Sequence, residues 1–332
     1  MKTLAGASIV ALAWAVLAGE HARSNPRGVR LLAPVVDHHQ HFFNPALLEW
    51  AKSWNPAAQR LPAITAKELI ALLDSAGIRR AVVLSVAYQC GNPAHPAENE
   101  YERVKAENDW TSAQVALYPD RLRGFCGVNP LRDYALEEIA RCAGDPNLRT
   151  GLKLHFGNSD VNVSDPAQLA QLRRVFRAAN ANHMAIVVHA HANVNNSRPY
   201  GAREARIFLD SLVPDARDVP VQIAHLAGAG SYTDSTDRAL AVYAEAIAKK
   251  DPRTAHLYFD MSGIGGLAAM DSTRKALMVS RIRSIGLDRI LFGSDAAAPG
   301  NTPRDAWERF RTLPLSDEEL TRIAGNVAPY MK

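Results

Sequence analysis

Val35-Val36-Asp37-His38-His39-Gln40-His41 is the stretch on which the fold turns. A short apolar run leads into Asp-x-His-x-His. On a β-strand, residues two apart point to one face, so Asp37, His39 and His41 share a side. Two imidazoles on one rigid edge make a chelating pair, neutral imidazole being the commonest side-chain metal ligand. An open doubly wound sheet would carry a Gly-rich phosphate turn after its first strand. Here the chain has His39-Gln40-His41 in that place.

Working outward, strands and helices alternate. Asn44 to Pro62, with Trp50, Trp54 and three prolines, is too broken for one long helix and forms an irregular insertion placed to cap a site. Thr65-Ala66-Lys67-Glu68 is a capping box; Leu69, Ile70, Leu72 and Leu73 follow as an apolar face that stops at Gly77, predicting a helix over Ala66 to Ala76. Strands are expected at Pro34 to Asp37, Arg80 to Ala87, Arg123 to Asn129 and Gly151 to Phe156. Four more fall at Met184 to His189, Val219 to His225, His256 to Ser262 and Arg289 to Asp295. Between them lie helices near Glu98 to Leu117, Ala135 to Ala143, Pro166 to Asn180 behind an Asp165 N-cap, Ala202 to Leu212, Asp237 to Lys250 and Ser272 to Ile285. Eight near-continuous apolar strands, each followed by an amphipathic helix, predict a closed (β/α)8 TIM barrel with both strand faces covered. Ser316-Asp317-Glu318-Glu319 opens a C-terminal closing helix with Leu320, Ile323 and Val327 on one side.

The 332 residues fit one such barrel with insertions, and residues 34–332 are read as that single domain. Apolar content of 47% and charged content of 22% are those of a globular chain with a sizeable core. The net charge of +4 is spread without a Lys/Arg run, which excludes a nucleic-acid tract. Met1-Lys2-Thr3, an apolar run from Leu4 to Ala18 and a small-residue end before Gly19-Glu20-His21-Ala22 read as a secretory signal peptide. Cleavage is placed after Ala18, or as late as Ala22, with residues 19–33 as a lead-in. The run is shorter than the ~20 residues a spanning helix needs, so the expectation is export to the periplasm or beyond, with no membrane span after cleavage. Cys90, Cys126 and Cys142 allow at most one disulfide and are read as buried small hydrophobes.

Barrel active sites form at the C-terminal strand ends. His39 and His41, Lys153 and His155, His189, His225 and Asp295 all fall there. Counting His38 and His191, seven of the eleven histidines do so. In strand four Leu152 and Leu154 point one way and Lys153 and His155 the other, into the barrel mouth. A buried Lys153 needs a carboxylate partner, a substrate carboxylate, or carbamylation to bridge two metals. His39, His41, His189 and Asp295 supply three nitrogens and one oxygen, a set that suits Zn²⁺ and related divalent ions with a position left for water. His189 is preferred to His191 because it ends the apolar run. His225 is placed to polarise a substrate oxygen, or to act as a fourth nitrogen ligand. Arg198, in the loop after strand five, has a forked donor set for a substrate carboxylate.

These motifs in this order resemble the amidohydrolase superfamily, in its amidohydrolase-2 branch of TIM-barrel enzymes related to aminocarboxymuconate semialdehyde decarboxylase. The resemblance runs from about Val35 to Ala328. It rests on Asp37-x-His39-x-His41, Gly151-Leu152-Lys153-Leu154-His155, Val187-Val188-His189, Ala224-His225-Leu226-Ala227-Gly228, Leu291-Phe292-Gly293-Ser294-Asp295 and the segment with Gly325-Asn326. It implies one zinc-like metal on His39, His41, His189 and Asp295, with His225 near the reacting group and Asp295 doubling as proton carrier. A second metal is implied only if Lys153 is carbamylated.

The leading expectation is hydrolysis of an amide, ester or lactone of a small organic substrate by metal-activated water. The alternative is non-oxidative decarboxylation of a small carboxylic acid at the same metal. A third class, a metal-dependent binding protein without turnover, conflicts with so complete a ligand set. The expected partner is a small molecule, and self-association into a homo-oligomer is left open.

Overall fold

The computed structural model describes residues 33–55, 58–59, 61–192, 198–264, 266–296 and 301–332. The leader and most of the lead-in lie outside the described residues. Eight parallel strands stand in sequence order, β1 (Val36–Gln40), β2 (Arg80–Leu84), β3 (Leu122–Gly127), β4 (Gly151–His155), β5 (Ala185–His189), β6 (Val221–Ile223), β7 (Leu257–Asp260) and β8 (Ile290–Leu291). The sheet curls until its edges meet. His38 N donates to Phe292 O at 2.8 Å, and Asp295 N to His39 O at 2.8 Å. The result is the TIM barrel expected from the alternation of strands and helices.

Helices α1 (Pro45–Lys52), α2 (Ala66–Ala76), α3 (Glu100–Ala116), α4 (Ala135–Ala143) and α5 (Pro166–Ala181) pack in the first half. The second half holds α6 (Ala202–Ile207), α7 (Asp234–Ala248), α8 (Ser272–Ile285), α9 (Pro303–Phe310) and α10 (Asp317–Gly325). The caps decide several boundaries. Thr65 and Glu68 close the capping box of α2, and Gly77 ends it with a left-handed φ of 72°. Asp165 accepts from Ala167 N and Gln168 N ahead of Pro166. Each such cap stabilises its helix by roughly 1 kcal/mol.

Period-two alternation sorts the strand residues. Leu152, Leu154, Ile186 and Val188 join the large core between strands and helices. Val36, Val82, Leu84, Phe125, Ala185 and Val187 form a second core inside the barrel, closed by Met331 and flanked by Tyr330 of the C-terminal segment. Arg80 Nη1 donates to Met331 O at 2.6 Å, so the chain end is tied under β2. Packing therefore plugs the lower end of the barrel and leaves polar side chains to the upper.

Three expectations need correction. β1 runs on to Gln40, which pairs with Val83 of β2, and Asp37 does not face the mouth but is held inside the seam by Ser294 N at 2.9 Å and Ser294 Oγ at 2.5 Å. The insertion is not wholly irregular: Asn44 caps α1 through Ala46 N, with Pro45 at its first position. Cys126 and Cys142 do not remain thiols. They form a disulfide tying β3 to α4, with Cα atoms 6.0 Å apart, and Cys90 is the buried free thiol.

Candidate active site

The upper rim carries a contiguous cluster of imidazoles. His155 and His189 are register partners on β4 and β5, and their rings stack at 4.0 Å. His189 packs on His225 at 4.8 Å, His225 on His39 at 5.0 Å, and His39 on His41 at 5.2 Å between ring centres.

Their orientation is set from outside. His39 Nδ1 donates to Asp260 Oδ2 at 3.0 Å, His225 Nδ1 to the Ser262 carbonyl at 2.9 Å, and His41 Nδ1 to the Leu84 carbonyl at 2.6 Å. With Nδ1 protonated in each ring, Nε2 is left with its lone pair, the state a metal ligand requires. His41 Nε2 stands 3.6 Å from Asp295 Oδ1, and His39 Nε2 3.3 Å from Lys153 Nζ. Ligand atoms of His39, His41 and Asp295 all lie within 4.8 Å of one another. His189 lies beside this triplet, in contact with it through His225, and both of its buried ring nitrogens lack a protein partner. His191 turns away and packs on Tyr200 at 4.0 Å.

Asp260, which sequence reading passed over as a strand residue, is the hub of this arrangement. Fully buried at the end of β7, it accepts from His39 Nδ1, from Gln222 Nε2 at 2.6 Å, from His225 N at 3.0 Å and from Ser262 N at 3.0 Å. The signal was available, since Asp260 is an acidic residue near the C-terminal end of the expected strand His256 to Ser262, as Asp295 is of Arg289 to Asp295. Backbone geometry is specialised here too. His225, Leu226 and Ala227 have φ of 57°, 49° and 61°, and Asp295 has φ of 50°. Such left-handed non-glycine residues cluster where surrounding structure holds a site in place. Gly263 is required beside them, because a Cβ there would fall 2.9 Å from Asp295 Oδ2.

Electrostatics favour neutral ligands. Burial, then the charge of Lys153, pushes His39 down to about 3, and burial with neighbouring imidazoles and Lys153 drives His41, His155 and His189 well below the usual imidazole range. Burial lowers the Lys153 ammonium to about 8 against the pull of Asp295 and Asp260. Burial raises the Asp295 carboxyl to about 7, with Lys153 opposing. The Asp260 carboxyl, which burial alone would raise, is held far below its ordinary range by His39, His225 and Ser262.

A cavity of about 590 Å³, open mouth included, leads to this cluster. His41 and Asp295 lie on its wall, and Leu47, Leu48 and Ala51 of the α1 insertion face it. Arg198 is elsewhere. Its fork is taken by Asp160, at 2.9 and 2.7 Å, and it lines a different cavity with Tyr200 and Tyr243.

Nitrogen donors oriented by second partners, a carboxylate within reach and an orphaned imidazole fit a divalent metal ion. The chain matches the amidohydrolase family over residues 36–328 and belongs to it. No curated protein matches it in sequence. Among solved structures it is similar to 2,6-dihydroxybenzoate decarboxylase from Rhizobium, at 18% identity and a TM-score of 0.59, with 89% of this chain and 97% of that one covered. The 5-carboxyvanillate decarboxylase of Novosphingobium aromaticivorans, complexed with manganese and 4-hydroxy-3-methoxy-5-nitrobenzoic acid, is similar at 13% identity and TM-score 0.56, covering 90% and 96%. A probable 2-pyrone-4,6-dicarboxylic acid hydrolase from Acinetobacter baumannii aligns at 17% identity and TM-score 0.54, covering 87% and 96%. The protein is thus a metal-dependent enzyme of the amidohydrolase family.

Proposed function

We propose that the enzyme is a non-oxidative decarboxylase of a small hydroxyaromatic carboxylic acid. The observation that carries this reading is the cavity, a mostly apolar chamber that ends on His41 and Asp295. A flat apolar body held there presents its polar end to the donor cluster. Decarboxylases of such acids on the same fold support the reading, ahead of the hydrolysis expected first.

His39, His41 and Asp295, with His189, are the residues that would hold the ion. A divalent ion there supplies positive charge to the substrate carboxylate and its neighbouring oxygen. The nitrogen-rich set suits zinc, and the manganese in one relative belongs to the same class of divalent ions. In the reaction the bond between ring carbon and carboxyl carbon breaks, the electron pair stays on the ring, CO2 leaves, and a proton reaches the ring carbon. Asp295, at the junction of cavity and cluster, is the proton carrier. His225, fixed through Ser262 and Asp260, polarises a substrate oxygen. Lys153 places a buried amine beside the anionic end of the substrate.

Hydrolysis of a lactone is the second reading, favoured by the likeness to the pyrone hydrolase, with Asp295 accepting a proton from water. Metal-loaded enzyme with 2,6-dihydroxybenzoate in D2O separates the two. Decarboxylation releases CO2 and leaves deuterium on the ring carbon. Cleavage of a pyrone lactone with no CO2 from any hydroxybenzoate tested would move the assignment to hydrolase. We also propose that the protein is exported, a reading supported by the leader and by the Cys126–Cys142 disulfide, which suits an oxidising compartment.

A further inference from the structure

The cavity has two unlike ends. His41 and Asp295 stand where it meets the donor cluster. Most of the rest is the insertion between β1 and α2, with Phe43, Leu47, Leu48, Ala51, Ala58 and Leu61 forming its apolar wall. The polar liners there are neutral or already engaged. Asn44 donates through Nδ2 to Glu107 Oε2 at 2.8 Å and accepts through Oδ1 from Ala46 N at 3.0 Å, so its amide is committed to holding the start of α1. Gln89 and Tyr88 carry no charge. Among the described residues no lysine or arginine lines the cavity. Arg198, the side chain best suited to a second carboxylate, is paired with Asp160 on another cavity.

We infer that the substrate is a monocarboxylate whose far side, opposite the reacting carboxyl, is an uncharged apolar substituent seated on Leu47, Leu48 and Leu61. The insertion is then the specificity device of the enzyme, and this assignment rests on the decarboxylase reading. The physical ground is asymmetric. Each methylene that leaves water for this wall gains a factor of about three to four in kcat/KM. A second carboxylate carried there loses its hydration without gaining a cation from any described residue, which lowers kcat/KM on the order of 100-fold. Of the acids named for the similar structures, 2,6-dihydroxybenzoate has one carboxylate, whereas 5-carboxyvanillate and 2-pyrone-4,6-dicarboxylate have two.

The experiment compares kcat/KM on metal-loaded full-length enzyme for 2,6-dihydroxybenzoate, its 4-propyl derivative and 5-carboxyvanillate. In parallel, equilibrium binding is measured for 2-nitroresorcinol and 5-propyl-2-nitroresorcinol. The expected order is propyl acid, parent, dicarboxylate, with the propyl acid roughly tenfold or more above the parent. Leu61 is half-buried, so Leu61→Arg keeps its fold and is expected to raise the dicarboxylate relative to the propyl acid. Leu47→Ala is expected to shrink the ratio of propyl acid to parent. Decarboxylation that prefers 5-carboxyvanillate, or that gains nothing from the propyl group, overturns the inference. Arg60→Ala is tested alongside, because Arg60 adjoins Leu61 in sequence and lies outside the described residues. A dicarboxylate preference abolished by that change also overturns it. If no acid is decarboxylated but the propyl probe still binds more tightly than 2-nitroresorcinol, the apolar seat stands and only the reaction class fails.

Discussion

His38 and His189 are both buried barrel histidines, at 0% and 3% exposure, yet they belong to regions built on opposite terms. At the seam between β1 and β8, His38 spends both nitrogens on backbone. Nδ1 donates to Phe292 O at 2.9 Å, and Nε2 accepts from Ala328 N at 3.1 Å. Next to it Asp37 is filled by Ser294 and Gln40. At the rim, His189 has no partner at either nitrogen, and His155 Nε2 and His191 Nδ1 are also without one. A buried polar group left unmade costs roughly 1–3 kcal/mol. The seam meets that cost only at Gln40 Oε1, whereas the rim carries it at three histidines, which marks the rim as the place completed by something other than the chain.

The sharpest way to break this contrast is to remove a rim residue proposed to hold the ion. His39→Ala and Asp295→Ala are each expected to lower turnover by about 10²–10³-fold or more, the scale of losing a group that acts on the reacting centre. The far-UV circular dichroism should be unchanged, because neither residue belongs to the apolar cores. Metal content by plasma mass spectrometry should fall with activity. Full turnover in both variants would sink the site.

The next test acts on the two histidines themselves. His38→Ala strands Ala328 N and leaves Phe292 O with only its bond from the backbone N of residue 38, and is expected to cost about 1–3 kcal/mol in urea unfolding. His189→Leu removes two unsatisfied nitrogens and should leave the chelator-treated protein as stable as before, or more so, while metal affinity drops. Equal stability losses in both variants would erase the distinction between seam and rim. Asp260→Asn is intermediate: its carboxylate belongs to the protein, but its bond orients His39, a residue proposed to hold the ion. A drop of about 10–100-fold in metal affinity is expected in competition titrations. Unaltered affinity would make Asp260 a purely structural hub.

The same contrast explains what was legible in the sequence. The capping boxes at Thr65 and Ser316 and the Asp165-Pro166 start act within a few residues, and the helices begin there. The start of α1 at Asn44-Pro45 carries the same signal as Asp165-Pro166, but the later prolines of the insertion obscured it. The start of α9, Thr302 with Asp305, lies beyond the last expected strand in a stretch with little apolar pattern. Strand alternation put Lys153 and His155 inside the barrel, with Leu152 and Leu154 outside. The partnerships of Arg198 with Asp160, Cys126 with Cys142 and Asp260 with His39 are made by tertiary folding, and no local periodicity announces them. Asp37 shared its strand face with His39 on paper, and the register shift between Asp37 and Gln40 against β2 shows where strict alternation lapses.

Glu107 gives the finest test, because it is half seam and half rim. One oxygen accepts from Asn44 and thereby steadies the cap of α1; the other, Oε1, is buried without a partner. Burial raises its carboxyl to about 8, with the Asn44 bond opposing. Its folded-state value therefore lies above the unfolded value of about 4.3, so the folded chain binds this proton more tightly. The stabilisation is complete below that unfolded value and is lost as pH rises toward 8, with a slope of at most about 1.4 kcal/mol per pH unit. Glu107→Gln keeps an acceptor for Asn44, carries no charge, and has the unpaired Thr111 hydroxyl one helical turn away. It is expected to flatten the slope between pH 5 and 8 and to gain on the order of 1 kcal/mol at pH 8. Urea midpoints of both proteins across that range decide the matter. Parallel curves would mean that Glu107 is ionised in the folded state across that range, and that burial behind the cavity does not hold its proton.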